Sequence, residues 1–401
     1  MISGGLGVAC HGLTKGIARQ GGKITFVMPR YYEKSPRYLK IVSAEQIHAK
    51  LSAGQPLDKQ EILPILSGYL RPEDYEKWYQ ESLGSGSKAR LIYGPDLFSE
   101  MEIFAWLGQK IAEKGPFDII HCHDWMTYKA GVAAKKVLGV PLVVHVHSIE
   151  ADRAPYPNPR VCEVEKFGLN SADLVMCVSR YEMEQVMKHY QIPESKIVVV
   201  HNGVDLNGNK RPKRKTPTRR KYRQILYIGR ITWQKGPEYL VEIARKMLEK
   251  RQDLRFIIAG WGDLAHPIIE RVADLGLGTH ILFGGFLPEL NVKKLIRESD
   301  LFMMPSVSEP FGLVALEALC EGVPVVISKQ SGVAEFLENV PKANFWDTDK
   351  FSRYSLELLE SPALVEKQME NLWPIVKKLN WNDSGRICMA EYKRLLSGSV
   401  H

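Results

Sequence analysis

The stretch LFMMPSVSEPFGLVALEAL, residues 301–319, joins a short apolar run to a segment with helical periodicity. The run LFMMPS is predicted to be a strand buried on both faces, because it is continuously apolar and ends in a turn. The turn holds Glu309, and the helix is expected to begin near Phe311. Gly312 and Leu313 would then present free backbone N–H groups at a helix N-terminus, which favours binding of an anion.

Two carboxylates accompany this turn. Glu317 follows Glu309 by eight positions and lies on the predicted helix, on a face that can reach a ribose. Carboxylates bind sugar hydroxyls well, because they accept several hydrogen bonds. The alternative is structural, with Glu309 as a helix cap and Glu317 in a salt bridge.

The same alternation of apolar runs and helical segments extends over most of the chain. The N-terminal runs are ITFVMP (24–29), FDIIHCH (117–123), PLVVHVH (141–147), LVMCVS (174–179) and KIVVVHNG (196–203). The C-terminal runs are ILYIGR (225–230), LRFIIAGWG (254–262), HILFGG (280–285), LFMMPS (301–306) and VPVVIS (323–328). Apolar strands that alternate with helices predict parallel sheets covered on both faces. We therefore expect an α/β protein of two doubly wound, Rossmann-like domains that face a cleft.

The expected domain boundaries follow from changes in composition. The N-terminal domain covers residues 1–205, with a Tyr-rich, polar insertion at about 31–110. A basic linker at 206–222 leads to a C-terminal domain at 223–380. Residues 381–401 are amphipathic and predict a last helix.

Charge and composition limit the classes of partner. The net charge is +8, and much of it lies in KRPKRKTPTRRKYR (210–223). Such a run is typical of a solvated linker, with contact to anionic lipid or nucleic acid as the alternative. No nucleic-acid-binding signature surrounds it. The sequence also has no apolar run of about 18 residues, so we expect no membrane span.

The six cysteines and the N-terminus indicate the compartment. The cysteines are scattered and form no Cys-x-x-Cys pair, which is typical of reduced thiols. The opening residues lack the layout of a signal peptide. We therefore expect a cytoplasmic protein.

A glycine-rich turn opens the chain. Gly4 and Gly5 belong to ISGGLG (2–7), and a helical pattern follows. Glycines allow backbone N–H groups to approach a diphosphate closely, although a tight turn without a ligand is equally compatible. A doubly wound domain places a strand directly before this turn, and residue 2 leaves no room for one. We expect a slot in the sheet, and a natural product that starts further upstream with an apolar strand.

A second candidate site follows the run ILYI. Gly229, Arg230 and Lys235 lie in GRITWQKG (229–236), at the carboxyl end of a predicted parallel strand. Ligands of such folds bind at this edge of the sheet. A guanidinium and an ammonium group can stabilise a departing nucleoside diphosphate without a metal ion. The alternative is a loop with two surface cations.

Four histidines follow strand alternation in two motifs, HCHDW (121–125) and HVHS (145–148). A zinc site from these groups is conceivable, but their spacing matches no standard zinc motif. We expect Asp124 and His147 to face the cleft and expect no metal site. Asp347 and Asp349 form an Asp-x-Asp match, which at three residues carries little information.

These motifs resemble the retaining glycosyltransferases of the B-type fold, in particular the glycogen and starch synthase-like group. The resemblance covers nearly the whole chain through SGGLG, FDIIHCHDW, VHVHS, VVHNGVD, GRITWQKG, SEPFGLVALEA and a closing helix with Trp and Tyr. It implies that the closing helix crosses back to the N-terminal domain. It also implies a nucleotide-sugar donor, no cofactor and no required metal ion.

The resemblance implies roles for single residues. Gly5, Arg230 and Lys235 would contact the donor diphosphate, Glu309 the donor sugar and Glu317 the ribose. His147 would reach the 6-hydroxyl of the sugar. The expected catalytic residues are Glu309, His147, Asp124, Arg230 and Lys235. The expected donor-binding residues are Gly4, Gly5, Asn202, Gly229, Arg230, Lys235, Phe311, Gly312, Leu313 and Glu317.

The implied reaction is transfer of glucose from ADP- or UDP-glucose to an α-1,4-glucan. The sequence departs from bacterial glycogen synthases at Ile2-Ser3, at Val8 and at Glu317, where those enzymes have Lys-Thr, Asp and Tyr. Other acceptors therefore stay open, including small sugars and lipids. A nucleotide-sugar 2-epimerase, an inactive N-terminally truncated remnant and a peripheral membrane enzyme that uses the basic linker are further alternatives.

Overall fold

The computed structural model describes residues 4–28, 36–43, 97–206 and 221–398. These residues form two Rossmann-like α/β domains with parallel sheets, which confirms the predicted fold class. Residues 207–220, the central part of the predicted basic linker, lie outside the described residues.

The N-terminal domain alternates strands and helices as the apolar runs predict. Its strands are β1 (Thr25–Met28), β2 (Lys40–Ser43), β3 (Ile120–His123), β4 (Leu142–Val146), β5 (Leu174–Cys177) and β6 (Ile197–Val199). Its helices are α1 (Gly4–Arg19), α2 (Leu97–Ala112), α3 (Trp125–Leu138), α4 (Glu150–Arg153), α5 (Pro159–Ser171) and α6 (Arg180–Tyr190). A single 3₁₀ turn, Glu194–Lys196, precedes β6. Every residue of β4 and β5 is buried, as expected for central parallel strands.

The sheet of this domain is divided. Strands β3, β4, β5 and β6 form one parallel sheet in that order, and β1 pairs only with β2 among the described residues. Phe26 of β1 nevertheless lies beside His123 of β3, with ring centroids 6.5 Å apart. The two sheets are therefore neighbours that no ladder of described residues joins.

Strand β2 and most of helix α2 lie within the predicted insertion at about 31–110. Strand β2 pairs in parallel with β1, and α2 buries Met101, Phe104 and Leu107 among the residues of the domain. Gly108 of α2 comes so close to α3 that an added Cβ would lie 3.1 Å from the Cβ of Ala130. Helix α2 therefore contributes to the domain core, whereas residues 44–96 lie outside the described residues.

The C-terminal domain contains one continuous sheet. Its strands are β7 (Arg223–Ile228), β8 (Leu254–Ala259), β9 (Ile281–Gly285), β10 (Leu301–Met304), β11 (Val325–Ser328) and β12 (Lys342–Ala343). They pair in parallel in the order β12-β11-β10-β7-β8-β9. The helices are α7 (Pro237–Lys250), α8 (Ala265–Asp274), α9 (Glu289–Arg297), α10 (Leu313–Cys320), α11 (Thr348–Glu360) and α12 (Pro362–Lys378). Because β7 and β10 are neighbours, the loops that follow them meet at the same edge of the sheet.

The last helix, α13 (Trp381–Gly398), packs against α1 of the N-terminal domain. The two helices touch at Gly16 and Gly385, where a Cβ on Gly385 would lie 2.3 Å from the carbonyl carbon of Gly16. The Ser384 hydroxyl also donates to the His201 carbonyl at 2.6 Å. Helix α13 therefore lies on the N-terminal domain.

We expect Gly385→Ala to lower the free energy of unfolding by about 1–3 kcal/mol, because the new methyl group collides with the α1 backbone. Gly398→Ala is the matched control on the same helix, where no described atom lies within 4 Å of the added Cβ. Its stability should stay within about 1 kcal/mol of the parent. Denaturant unfolding followed by circular dichroism measures both, and equal stability of the two variants would contradict this packing.

Candidate active site between the two domains

The loop after β7 places the two predicted cations at the carboxyl edge of the C-terminal sheet. Lys235 ends a 3₁₀ turn, Trp233–Lys235, and Arg230 begins the same loop. The buried Tyr227 hydroxyl contacts the carbonyl oxygens of Arg230 at 3.2 Å and Lys235 at 3.3 Å. The Arg230 guanidinium donates to Gln234 at 3.1 Å. Tyr227 therefore anchors both ends of the loop that starts at Gly229.

Glu309 lies against this loop. Its Oε2 accepts a hydrogen bond from the Lys235 ammonium at 2.6 Å and one from the Ser306 hydroxyl at 3.3 Å. The side chains of Lys235 and Glu309 are 20% and 11% exposed, so the ion pair is largely shielded from water. An ammonium group has three donors, and this pair uses one of them. Lys235 can therefore hold Glu309 and a second anion together.

The helix after Glu309 begins as the sequence predicts. Gly312 has φ 108° and ψ 46°, in a region that favours glycine, and α10 starts at Leu313. The first N–H groups of this helix lack intrahelical partners and form a positive end. The side chains of Phe311 and Leu313 are buried, and Phe311 packs beside His201 and Phe336. Glu317 lies within α10 and is half-buried.

The glycine-rich opening differs from its predicted form. Gly4 and Gly5 lie in the first turn of α1, not in a loop before it. The helix start still presents free N–H groups. Gly5 is exposed and has no described atom within 4 Å of an added Cβ, so an approaching ligand meets open space there.

Asp124, which we expect to face the cleft, is bonded to the backbone at the carboxyl end of β4. Its side chain is 2% exposed, and Oδ1 accepts a hydrogen bond from the backbone N–H of His147 at 2.7 Å. Its φ of 58° is rare for a residue other than glycine. The strained turn directs the carboxylate back onto the end of β4. Asp124 therefore holds the backbone that carries His147.

His147 lies at the carboxyl end of β4. Burial lowers the pKa of its imidazole to about 3, so the ring is neutral near pH 7. Its Nε2 lies 3.0 Å from Nδ1 of His123. Asn202 is also buried, in the loop that follows β6. Both residues lie at the carboxyl edge of the N-terminal sheet.

A set of contacts between the domains lies next to Glu309, and the sequence motifs did not predict it. The Ser308 hydroxyl donates to Asp152 Oδ1 at 2.6 Å. Because a hydroxyl has one hydrogen to donate, the Tyr181 hydroxyl, 2.9 Å away, donates to Ser308. The Ser179 hydroxyl donates to the Pro310 carbonyl at 2.5 Å. Asp152 follows β4, and Ser179 and Tyr181 follow β5. Their position shortly after a strand is the signal by which the sequence could have indicated them.

Histidines and one cysteine supply the groups that could hold a metal ion among the described residues. The two sets are Cys10, His123 and His147, and His121, His123 and His145, each with ligand atoms within 4.8 Å of one another. The Asp-x-Asp match has a structural role instead. Asp347 caps α11, and Asp349 pairs with Lys246 at 2.8 Å.

No helix in the described part of the chain has the length and apolar character needed to span a membrane.

Comparison with known proteins gives the family. Residues 3–207 match the family described as Glycosyltransferase Family 4, and residues 209–372 match Glycosyl transferases group 1. The chain is 33% identical over 328 residues to an uncharacterized glycosyltransferase of Methanocaldococcus jannaschii, covering 77% of this chain and 81% of that one. It is 32% identical over 245 residues to D-inositol 3-phosphate glycosyltransferase of Thermobispora bispora, covering 55% and 56% of the two chains.

A solved structure supports the fold. The sucrose-phosphate synthase of Thermosynechococcus elongatus superimposes with a TM-score of 0.75 at 18% identity, over 99% of this chain and 95% of that one. The narrower resemblance to glycogen and starch synthases is not established by these relatives. The sequence matches and the two facing Rossmann-like domains agree: the chain belongs to the group 1 glycosyltransferases, enzymes of the B-type fold.

Proposed function

We propose that this glycosyltransferase transfers glucose from UDP- or ADP-glucose with retention of the anomeric configuration. The observation that carries the proposal is the Lys235–Glu309 pair, whose ammonium and carboxylate lie 2.6 Å apart at the cleft. One group suits a departing diphosphate and the other suits a sugar hydroxyl. One donor molecule could bind to both groups, because its diphosphate and its sugar are adjacent.

The diphosphate would lie among positive groups. Arg230 and Lys235 contribute full charges, and the free N–H groups at the start of α10 contribute partial charges. The start of α1 at Gly4 and Gly5 offers a second set of N–H groups from the other domain. These groups stabilise charge that develops as the bond to the sugar breaks, and this is the main route to rate enhancement in such sites.

The sugar would lie between Glu309 and His147. Glu309 accepts hydrogen bonds from hydroxyl groups, and the neutral His147 ring would offer its Nδ1, because its Nε2 lies 3.0 Å from Nδ1 of His123. Asp124 accepts a hydrogen bond from the backbone N–H of His147 and would position that residue. Glu317, further along α10, would bind the ribose hydroxyls.

The reaction needs one bond exchange and one proton transfer. The acceptor oxygen bonds to the anomeric carbon on the face from which the phosphate oxygen departs. The acceptor proton moves to that departing oxygen, which becomes part of the free nucleoside diphosphate. The stereochemistry and the use of the phosphate as base follow from the resemblance to retaining enzymes.

The acceptor has two candidates. The motifs favour the non-reducing end of an α-1,4-glucan, because they resemble the glycogen and starch synthase-like group. A relative named D-inositol 3-phosphate glycosyltransferase, 32% identical over 245 residues, favours a small phosphorylated polyol. Both acceptors present a hydroxyl group to the same cleft.

A matrix of donors and acceptors tests the proposal. The purified enzyme is incubated with UDP- or ADP-glucose and a maltooligosaccharide, inositol 3-phosphate or no acceptor. We expect an α-linked glucoside, identified by NMR, with one of the two acceptors. A β-linked product would contradict retention. Release of an epimerised sugar without acceptor would indicate a nucleotide-sugar 2-epimerase instead of a transferase.

Lys235→Ala and Arg230→Ala should each lower kcat/KM by about 10²–10³, the typical effect of removing one donor to a developing oxyanion. The matched control is Lys246→Ala, which removes a lysine paired with the exposed Asp349 of the same domain. Steady-state kinetics with the donor varied provides the measurement. Unchanged kcat/KM in both Lys235→Ala and Arg230→Ala would refute the diphosphate assignment.

Glu309→Gln should lower kcat more than Glu317→Gln. The first carboxylate is assigned to the reacting sugar, and the second to the ribose, where lost binding energy is expressed mainly in KM. Both changes preserve side-chain volume, and circular dichroism should show folded proteins. A larger loss of kcat in Glu317→Gln would reverse the assignment.

Chelation by EDTA should leave the rate of transfer unchanged, because Arg230, Lys235 and the helix N-termini would replace a metal ion at the diphosphate. The rate is measured before and after dialysis against EDTA. Loss of activity that Mg²⁺ restores would show that the diphosphate needs a metal ion.

A further inference from the structure

Four histidines form a stack beside the candidate active site. His121 and His123 alternate along β3, and His145 and His147 alternate at the end of β4, so all four point to one face of the sheet. Ring centroids of His121 and His123 lie 4.5 Å apart, and those of His121 and His145 lie 5.3 Å apart. The faces of these rings are nearly parallel, with interplanar angles of 18° and 8°.

Three nitrogen atoms in this stack have no hydrogen-bond partner among the described residues. They are Nε2 of His121 and both Nδ1 and Nε2 of His145. His145 is 1% exposed, so its ring lies away from bulk solvent. Leaving a buried polar group unpaired is unfavourable, and this histidine has two. The proposed sugar-binding role of His147 does not account for them.

We propose that His121, His123 and His145 bind one divalent transition-metal ion, with Zn²⁺ as the representative. Their ligand nitrogens lie within 4.8 Å of one another, and a tetrahedral zinc site places nitrogen ligands roughly 3.3 Å apart at Zn–N distances of about 2.0–2.1 Å. Binding would rotate the three rings out of their stack, so that one nitrogen of each points to the ion at this spacing. Neutral imidazole suits Zn²⁺, Cu²⁺ and Ni²⁺ and does not suit Mg²⁺.

The surrounding hydrogen bonds are those of metal-binding histidines. Nδ1 of His121 is bonded to the Tyr392 hydroxyl, and Nδ1 of His123 lies 3.0 Å from Nε2 of His147. His121 and His123 therefore each have Nδ1 engaged, which leaves Nε2 for an ion, whereas both nitrogens of His145 are without a partner among the described residues. Such outer contacts fix the tautomer and the orientation of a ligand histidine. Burial also lowers the pKa of His121, His123 and His145, so all three rings are in the neutral form that binds metal.

The second set, Cys10 with His123 and His147, is the weaker alternative. Burial raises the pKa of the Cys10 thiol well above its usual value, whereas metal binding uses the thiolate. That set would also engage His147, which the proposed function assigns to the sugar. The orphan nitrogens belong to the first set. The proposed ion therefore leaves His147 in place and is separate from the diphosphate.

Zinc titration of the metal-stripped full-length protein tests the site. Calorimetry should show one strong Zn²⁺ site per chain, and the ion should raise the midpoint of thermal unfolding. His145→Asn should weaken binding at least ~10²-fold, since even an outer hydrogen-bond partner contributes about 10–100-fold. Tyr392→Phe should weaken Zn²⁺ binding by about 10–100-fold, because it removes such an outer hydrogen-bond partner. Absence of a strong site in the parent protein would overturn the proposal.

Cys10→Ser is the matched control, because it removes the alternative ligand and leaves the three histidines intact. It should bind Zn²⁺ like the parent, and the Co²⁺-substituted parent should lack a thiolate charge-transfer band in its absorption spectrum. Loss of binding in Cys10→Ser, or such a band in the parent, would overturn the three-histidine assignment. If His145→Asn does not fold, His121→Asn takes its place, and unchanged affinity in the folded variant would refute the site.

Discussion

The hydrogen bond from Ser308 to Asp152 joins the two domains at the residue next to Glu309. Asp152 follows β4 and Ser308 follows β10, so this contact aligns the carboxyl edges of the two sheets. Tyr181 donates to the same hydroxyl, and Ser179 donates to the carbonyl of Pro310 on the other side of Glu309. The turn that carries the candidate sugar-binding carboxylate is thus held on both sides by the N-terminal domain. The position of Glu309 is therefore tied to the contacts between the two domains.

This arrangement explains how groups of opposite charge can serve one donor. Lys235 and Glu309 partly neutralise each other, which lets both remain largely buried without an uncompensated charge. The helix starts add positive potential without adding titratable groups. On the N-terminal side, Asp124 fixes the main chain of His147, and burial keeps that ring neutral. The cleft therefore offers positive charge for a diphosphate beside neutral and acidic partners for a sugar.

The sequence predicted the parts of this site that depend on local chemistry. The apolar runs predict the strands that precede Gly229 and Ser306. The position of Gly312 predicts a helix that begins after it. The pairing of Lys235 with Glu309 depends on β7 and β10 being neighbours, which no local pattern reveals. The contacts of Asp152 depend on the relative placement of two domains. The bond from the His147 N–H to Asp124 accompanies a positive φ at Asp124 that no local pattern reveals, and α1 begins at Gly4, inside the predicted glycine-rich turn.

The central claim is that one cleft binds the donor through Lys235 and Glu309 together. A crystal structure of the enzyme with UDP and glucose, or with an unreactive analogue of the donor, tests it most directly. The account predicts that the diphosphate lies against the Lys235 ammonium and the first N–H groups of α10, with the sugar within hydrogen-bond distance of Glu309. A diphosphate bound away from Lys235, or a sugar with no contact to Glu309, would contradict the account.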